Sequence, residues 1–156
     1  VKLLVVGKSW FGDENVKDEY TCKVQKEAEK VKEKIIFTGF VDPERMPLMY
    51  QMADCLVVPS IWEEPFGVVA LEGMASGLPL IVTNSGGLPE IVNDKCAVIV
   101  NKEKDIVNNL TDEMNKMMIN EAKAKKMGEC ARETVQSNLE YDSRNYFGLF
   151  LKKTIG

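Results

Sequence analysis

The most informative part of the sequence is residues 59–90, which read PSIWEEPFGVVALEGMASGLPLIVTNSGGLPE. Two carboxylates, Glu64 and Glu72, lie on either side of a Pro-Phe-Gly turn and the start of an apolar run, residues 68–71. A strand, a loop and a helix that starts near Gly67 would direct the unpaired amides of the helix start into one space, where anions are favoured. The segment therefore predicts a phosphate site bordered by carboxylates that accept hydrogen bonds from hydroxyl groups.

Each glutamate also has a structural explanation when it is taken alone. A glutamate before a helix is often a partner of the helix dipole, and a glutamate within a helix usually faces water. Glu72, however, shares a helical face with Val68, Ala75 and Ser76, and an ionised carboxylate in such apolar surroundings needs a partner. The two carboxylates are therefore interpreted together, as parts of one ligand site.

Several short motifs occur together in the same segment, with seven residues between Glu64 and Glu72. Taken together they resemble the E-x7-E signature of family 4 retaining glycosyltransferases. Members of that family have two Rossmann-like domains in the GT-B architecture, and the resemblance assigns this chain to the C-terminal, donor-binding domain. The motifs that carry the resemblance are Pro59-Ser60, Glu64-Pro65-Phe66-Gly67, Leu71-Glu72, Met74-Ala75-Ser76-Gly77-Leu78-Pro79 and Gly86-Gly87-Leu88-Pro89-Glu90.

The resemblance implies a role for each candidate site residue. Glu64 would be the catalytic residue that accepts hydrogen bonds from the donor hexose, and Glu72 would accept hydrogen bonds from the ribose. Main-chain amides near the helix start would bind the sugar and the diphosphate, a glycine loop would lie on the phosphate side, and the end of the second strand would border the base. These three groups are Phe66, Gly67 and Val68; Gly86 and Gly87; and Thr38, Gly39, Phe40 and Val41.

The activity implied is transfer of a hexose from a nucleoside diphosphate sugar to an acceptor hydroxyl, with retention, in polysaccharide, lipopolysaccharide or glycolipid synthesis. The barrier is departure of the nucleoside diphosphate, and fixed N–H donors stabilise the charge that grows on it. Neither a metal nor a cofactor is expected. The partners implied are a donor, with uridine diphosphate sugars favoured by family frequency, a saccharide or lipid-linked acceptor, and the N-terminal GT-B domain.

Composition excludes several other classes of function. The chain has 156 residues, 24 acidic and 20 basic, so nothing indicates nucleic-acid binding. It has no histidine and no Asp-x-Asp motif, which leaves no obvious metal site. Four cysteines without a C-x-x-C pair favour free thiols in a reducing compartment. With neither a signal peptide nor a membrane span indicated, we expect a cytoplasmic protein, with peripheral contact to the inner membrane face through the N-terminal domain.

Short apolar runs alternate with helical patterns along the chain, which predicts an α/β fold, a Rossmann-like doubly wound parallel sheet of about five strands with helices on both faces. The segment 7–12 lacks both the dinucleotide fingerprint and the phosphate loop. The predicted strands are 2–6, 35–38, 55–58, 80–82 and 97–100. The predicted helices include 18–33 and, in a helical C-terminal part over 103–156, the segments 103–118, 120–137 and 141–154.

We interpret 1–156 as a single donor-binding domain and as a fragment, since the family's N-terminal acceptor domain, first strand and diphosphate-clamping Arg and Lys have no counterpart. Arg45 is misplaced for that clamp and Lys8 is a weak substitute. The fragment alone is therefore expected to bind a nucleotide and to transfer no sugar. Two alternatives stay open: a non-catalytic nucleotide-binding or scaffold domain of the same fold and, more distantly, a nicotinamide-dependent oxidoreductase.

Overall fold

Brief β-branched runs form strands at all five predicted places in the computed structural model, which describes residues 1–7 and 19–137. The strands are β1 (Leu3–Val6), β2 (Ile35–Gly39), β3 (Leu56–Val58), β4 (Leu80–Thr83) and β5 (Ala97–Val100). The α-helices are α1 (Glu19–Ala28), α2 (Met46–Gln51), α3 (Val68–Ala75), α4 (Leu88–Ile91), α5 (Ile106–Ile119) and α6 (Glu121–Ser137). Two 3₁₀ helices cover Glu29–Lys34 and Pro43–Arg45.

The chain divides into two compact units, Val1–Met46 and Pro47–Gly156. In the first unit β1 and β2 pair in parallel, with Leu3 opposite Ile35. The helix predicted over 18–33 is α-helical only as far as Ala28 and continues as a 3₁₀ helix. The assignment of 1–156 to one donor-binding domain stays a prediction.

In the second unit three parallel strands pair in the order β3-β4-β5. The predicted parallel α/β class is confirmed, but the five strands are hydrogen-bonded in two sheets, β1-β2 and β3-β4-β5, and not in one. Among the described strands, β2 bonds to β1 alone and β3 bonds to β4 alone. Turn signals locate strands along a sequence, whereas strand pairing depends on contacts that are remote in sequence.

The three-stranded sheet is covered by helices on both faces. Ile81 of β4 packs with Met117 and Met127, from α5 and α6, in one apolar cluster. The other face meets α3, where an ideal Cβ on Gly73 would lie 2.3 Å from Cδ2 of Leu56 in β3. Met117 and Met127 are therefore core residues, whereas Met118 is 43% exposed.

The helical part after β5 follows the prediction closely. α5 and α6 take the places of the two predicted helices 103–118 and 120–137. The third, over 141–154, lies outside the described residues. α6 passes so close to the turn after α3 that an ideal Cβ on Gly128 would lie 2.1 Å from the carbonyl oxygen of Gly77. None of the described helices is long and apolar enough to cross a membrane.

Candidate functional site at the carboxyl edge of the second sheet

The candidate site lies where the three strands of the second unit end. Because β3, β4 and β5 are parallel, the segments that follow them meet at one edge of the sheet, the place where such folds bind ligands. We call the segments 59–67, 84–87 and 101–102 the carboxyl edge. Six predicted site residues lie in it or directly after it: Glu64, Phe66, Gly67, Val68, Gly86 and Gly87.

Helix α3 begins where the sequence predicts, with Gly67 as the N-cap residue. The carbonyl of Gly67 accepts hydrogen bonds from the amides of Ala70 (2.9 Å) and Leu71 (3.3 Å). The amides of Phe66, Gly67 and Val68 donate no hydrogen bond to any group within residues 1–7 and 19–137. These free donors and the positive end of the helix dipole favour an anion here.

Packing around Gly67 leaves no room for a side chain. An ideal Cβ there would lie 2.6 Å from Cδ2 of Leu88 and 3.2 Å from Cδ1 of Ile91. Gly67 also has φ of 81°, in the left-handed region. Glycine is therefore required by the backbone and by packing against α4, a four-residue helix that the sequence analysis missed.

Glu72 has the partner that its apolar setting required. It lies inside α3 and is only 5% exposed, and its Oε2 accepts a hydrogen bond of 2.6 Å from the hydroxyl of Tyr50 in α2. The hydroxyl offsets the cost of burying the carboxylate. Sequence reasoning missed Tyr50, because the short α2 reads as an apolar helix and nothing near Tyr50 marks a polar role.

Glu64 is half-buried, and the loop around it is anchored to neighbouring strand ends. Its Oε2 accepts a hydrogen bond of 3.2 Å from Oγ of Ser60. The carbonyl of Ser60 accepts in turn from the buried Oγ1 of Thr83, at 2.6 Å. The amide of Gly87 donates to the carbonyl of Glu64 at 2.7 Å. The structure thus brings Glu64 and the predicted glycine loop into direct contact.

An ion pair that the sequence analysis did not consider lies beside Glu64. Nζ of Lys102 is 2.5 Å from Oε1 of Glu63, and the amide of Gly86 donates to Oε2 of Glu63 at 2.8 Å. The hydrogen bond from Lys102 is the main cause of a lowered pKa for the Glu63 carboxyl, with the Gly86 amide and the charge of Lys102 adding to it. No motif in the sequence links Glu63 to Lys102, because the two residues are 39 positions apart.

The predicted base-binding residues belong to the first unit, at the end of β2. The hydroxyl of Thr38 donates to the carbonyl of Gly39 at 3.0 Å, and the side chain of Phe40 is 70% exposed. Val41 is half-buried and precedes the second 3₁₀ helix. Their grouping with Glu72 around one nucleotide stays a prediction.

The part of the chain that the structure describes contains no cluster of three His, Cys, Asp or Glu side chains suited to a metal ion. The four cysteines are free thiols. Burial, with a smaller effect from Asp54, raises the pKa of Cys55 to about 11, so this thiol stays protonated at neutral pH. The prediction that no metal or cofactor takes part remains a prediction.

The fold and the free helix start define the chain as a Rossmann-like α/β protein of the GT-B type. The sequence model of the family described as glycosyl transferases group 1 matches residues 1–134. The chain therefore belongs to this family.

Three proteins illustrate what the chain is similar to. Spore coat protein SA of Bacillus subtilis is 30% identical over 138 residues, which cover 88% of this chain and 36% of that protein. The structure of sucrose-phosphate synthase from Thermosynechococcus elongatus matches with a TM-score of 0.77 at 29% identity, over 97% of this chain and 36% of that one. Anabaena HepE in complex with UDP matches with a TM-score of 0.76 at 19% identity, over 99% of this chain and 40% of that one, a likeness of fold alone. The chain spans about two fifths or less of the length of these proteins.

Proposed function

We propose that this chain is the donor-binding part of a family 4 retaining glycosyltransferase. It binds a nucleoside diphosphate sugar, and the whole protein transfers the hexose with retention to an acceptor hydroxyl of a saccharide or lipid-linked acceptor. The observation that carries the proposal is the start of α3, where the unpaired amides of residues 66–68 lie between Glu64 and Glu72 along the chain. Amides suit the diphosphate and carboxylates suit hydroxyl groups, so the arrangement matches both halves of such a donor.

Each residue has a definite task in this proposal. The amides of Phe66, Gly67 and Val68 bind sugar and diphosphate oxygens and stabilise the charge that develops as the diphosphate leaves. Glu64 accepts hydrogen bonds from the hexose. Tyr50 occupies Oε2 of Glu72, and we assign the ribose hydroxyls to Oε1.

We propose uridine as the base and polysaccharide, lipopolysaccharide or glycolipid synthesis as the setting. The complex of Anabaena HepE with UDP supports uridine to the extent that a shared fold can. In this proposal Thr38, Gly39, Phe40 and Val41 border the base, Gly86 and Gly87 lie on the phosphate side, and neither a metal nor a cofactor takes part. The free thiols fit a cytoplasmic location.

Transfer also needs an acceptor held beside the donor, because proximity supplies a large part of the rate. We assign that task to the part of the relatives that this chain does not span, as an N-terminal GT-B domain. The 156-residue chain alone is therefore expected to bind a nucleoside diphosphate and to transfer no sugar.

Calorimetric titration of the chain with UDP and with UDP-glucose tests the proposal. Glu72→Gln keeps an acceptor for Tyr50 while it removes the charge, and it should weaken both ligands by about 1–3 kcal/mol. Glu64→Gln should weaken UDP-glucose and leave UDP unchanged. The matched control is Glu129→Gln, on the exposed surface of α6, which should change neither affinity. If Glu72→Gln binds UDP as the unaltered chain does, Glu72 is not in the site.

A non-catalytic role is the second candidate, because one similar relative is called a spore coat protein. The two candidates differ in turnover by the whole protein. Release of nucleoside diphosphate from a panel of donors with mixed acceptors supports the transferase. Tight donor binding without release supports a scaffold of the same fold.

A further inference from the structure

The carboxyl edge contains an ion pair for which the proposed donor site has no use. Lys102 follows β5, and its side chain is only 13% exposed, while Glu63 on the loop after β3 is 76% exposed. Both oxygens of Glu63 have partners, Lys102 at one and the amide of Gly86 at the other. The backbone of Lys102 is fixed too, since its amide donates to Oδ1 of Asn84 at 2.7 Å. One carboxylate thus joins the loops that follow all three strands.

The pair differs from two other ion pairs of the described residues. Glu27 with Lys30, and Glu113 with Lys116, are three residues apart and have mostly exposed lysines. Exposed ion pairs of that kind contribute little to the stability of a fold. Glu63 and Lys102 are 39 residues apart, and Nζ of Lys102 lies 3.5 Å from Oγ of Ser85 as well. Their contact therefore constrains the relative positions of loops rather than one helix surface.

The backbone carbonyls of the residues before and after Glu63 are both hydrogen-bonded to residues 85–87. The carbonyl of Trp62 accepts from Oγ of Ser85, and the carbonyl of Glu64 accepts from the amide of Gly87. An ideal Cβ on Gly86 would lie 2.2 Å from the carbonyl oxygen of Glu64, so the two backbones are in direct contact. A shift of the glycine loop would therefore move the main chain of Glu64.

We propose that Glu63 and Lys102 are positioning residues that hold the loop carrying Glu64 in place for the donor hexose. We call the two side chains, with the amide of Gly86, the loop clasp. The proposal rests on the proposed function, because it assumes that Glu64 contacts the sugar. The side chains of Glu63 and Lys102 act through the backbone contact between Gly86 and Glu64.

The first test needs no ligand. Exchange of the Gly87 amide is followed by NMR in the unaltered chain, in Lys102→Met and in Lys102→Arg. Lys102→Met should speed Gly87 exchange about tenfold, since it removes a charge-assisted contact, and should leave the amides of β4 unchanged. Lys102→Arg should restore protection because it keeps the charge. Lys116→Met is the matched control, an equivalent loss from an ion pair on α5, and should leave Gly87 unaffected.

The second test uses UDP and UDP-glucose in calorimetry on the same variants. Lys102→Met should weaken UDP-glucose about tenfold and UDP less than about twofold, because only the sugar contact depends on Glu64. Equal losses for the two ligands, or unchanged Gly87 exchange, would overturn the proposal. Should Lys102→Met fail to fold, Glu63→Gln removes the charge and keeps an acceptor for Gly86. If the unaltered chain binds neither ligand, the proposed function fails, while Gly87 exchange still decides on the clasp.

Discussion

The two units differ sharply in how much apolar surface they bury. Among the described residues of the first unit, Ala28 is the only buried apolar side chain, and Leu3 and Phe37 of its two strands are 44% and 42% exposed. In the second unit Leu80, Ile81 and Val82 of the central strand β4 are all 0% exposed. An isolated two-stranded sheet is marginal in water, whereas three strands covered by helices can be stable. Among the described residues, most of the buried apolar surface, and with it most of the expected hydrophobic stabilisation, therefore lies in the second unit.

The second unit also carries most of the candidate site. The segments of the carboxyl edge directly follow β3, β4 and β5, so the buried strands that supply the stability also fix the ends of the loops. Only the predicted base-binding residues lie in the first unit. Donor binding should accordingly be more sensitive to changes in β4 than to changes in β1.

The largest difference is expected when one leucine in each unit is truncated to alanine. Leu80→Ala in β4 should lower the free energy of unfolding by about 3 kcal/mol, because it leaves a cavity between well-packed neighbours. Leu3→Ala in β1 should cost less than about 1 kcal/mol, since that side chain is already partly in water. Urea unfolding followed by circular dichroism measures both. Equal losses would contradict the difference in burial between the two leucines.

A second comparison concerns glycines. Gly128→Ala would place a methyl group 2.1 Å from the carbonyl oxygen of Gly77, and α6 must shift to accept it, at about 2 kcal/mol. In Gly39→Ala the added methyl group would meet no atom within 4 Å. The substitution should lower the free energy of unfolding by only about 1 kcal/mol, because a φ of 67° is unfavourable for alanine. Melting temperatures of the two variants would rank them. A smaller shift for Gly128→Ala would mean that α6 moves away from the Gly77 turn at little cost.

The parts of the fold that the sequence predicted are those that local patterns determine. Each strand is a short β-branched run between turn residues, and α3 starts at the glycine that the sequence indicated. The division of five strands into two sheets was not predicted, because strand pairing depends on contacts that no local pattern records. The helix α4 was missed since it has only four residues, of which one is proline.

The same distinction holds for the candidate site. The burial of Glu72 followed from its apolar helical face, so the need for a partner was predicted correctly. The sequence did not identify this partner as Tyr50, because Tyr50 and Glu72 are 22 positions apart. The partners of Glu63, 23 and 39 positions away, are equally invisible in the sequence. Contacts between loops after different strands become visible only when the sheet aligns the strand ends.

The smallest expected effect is a titration that distinguishes the clasp from an ordinary surface ion pair. A carboxyl with a lowered pKa in the folded state stabilises the fold above its unfolded pKa, and that contribution is lost as pH falls through the folded value. The Gly86 amide donates directly to Glu63, so its proton chemical shift should report this titration, with a midpoint below that of an exposed glutamate. Lys102→Met should move the midpoint upward, because it removes the main cause of the lowered pKa. Lys116→Met should not move it, and a midpoint that is the same with and without Lys102 would show that in solution Lys102 does not hold Glu63.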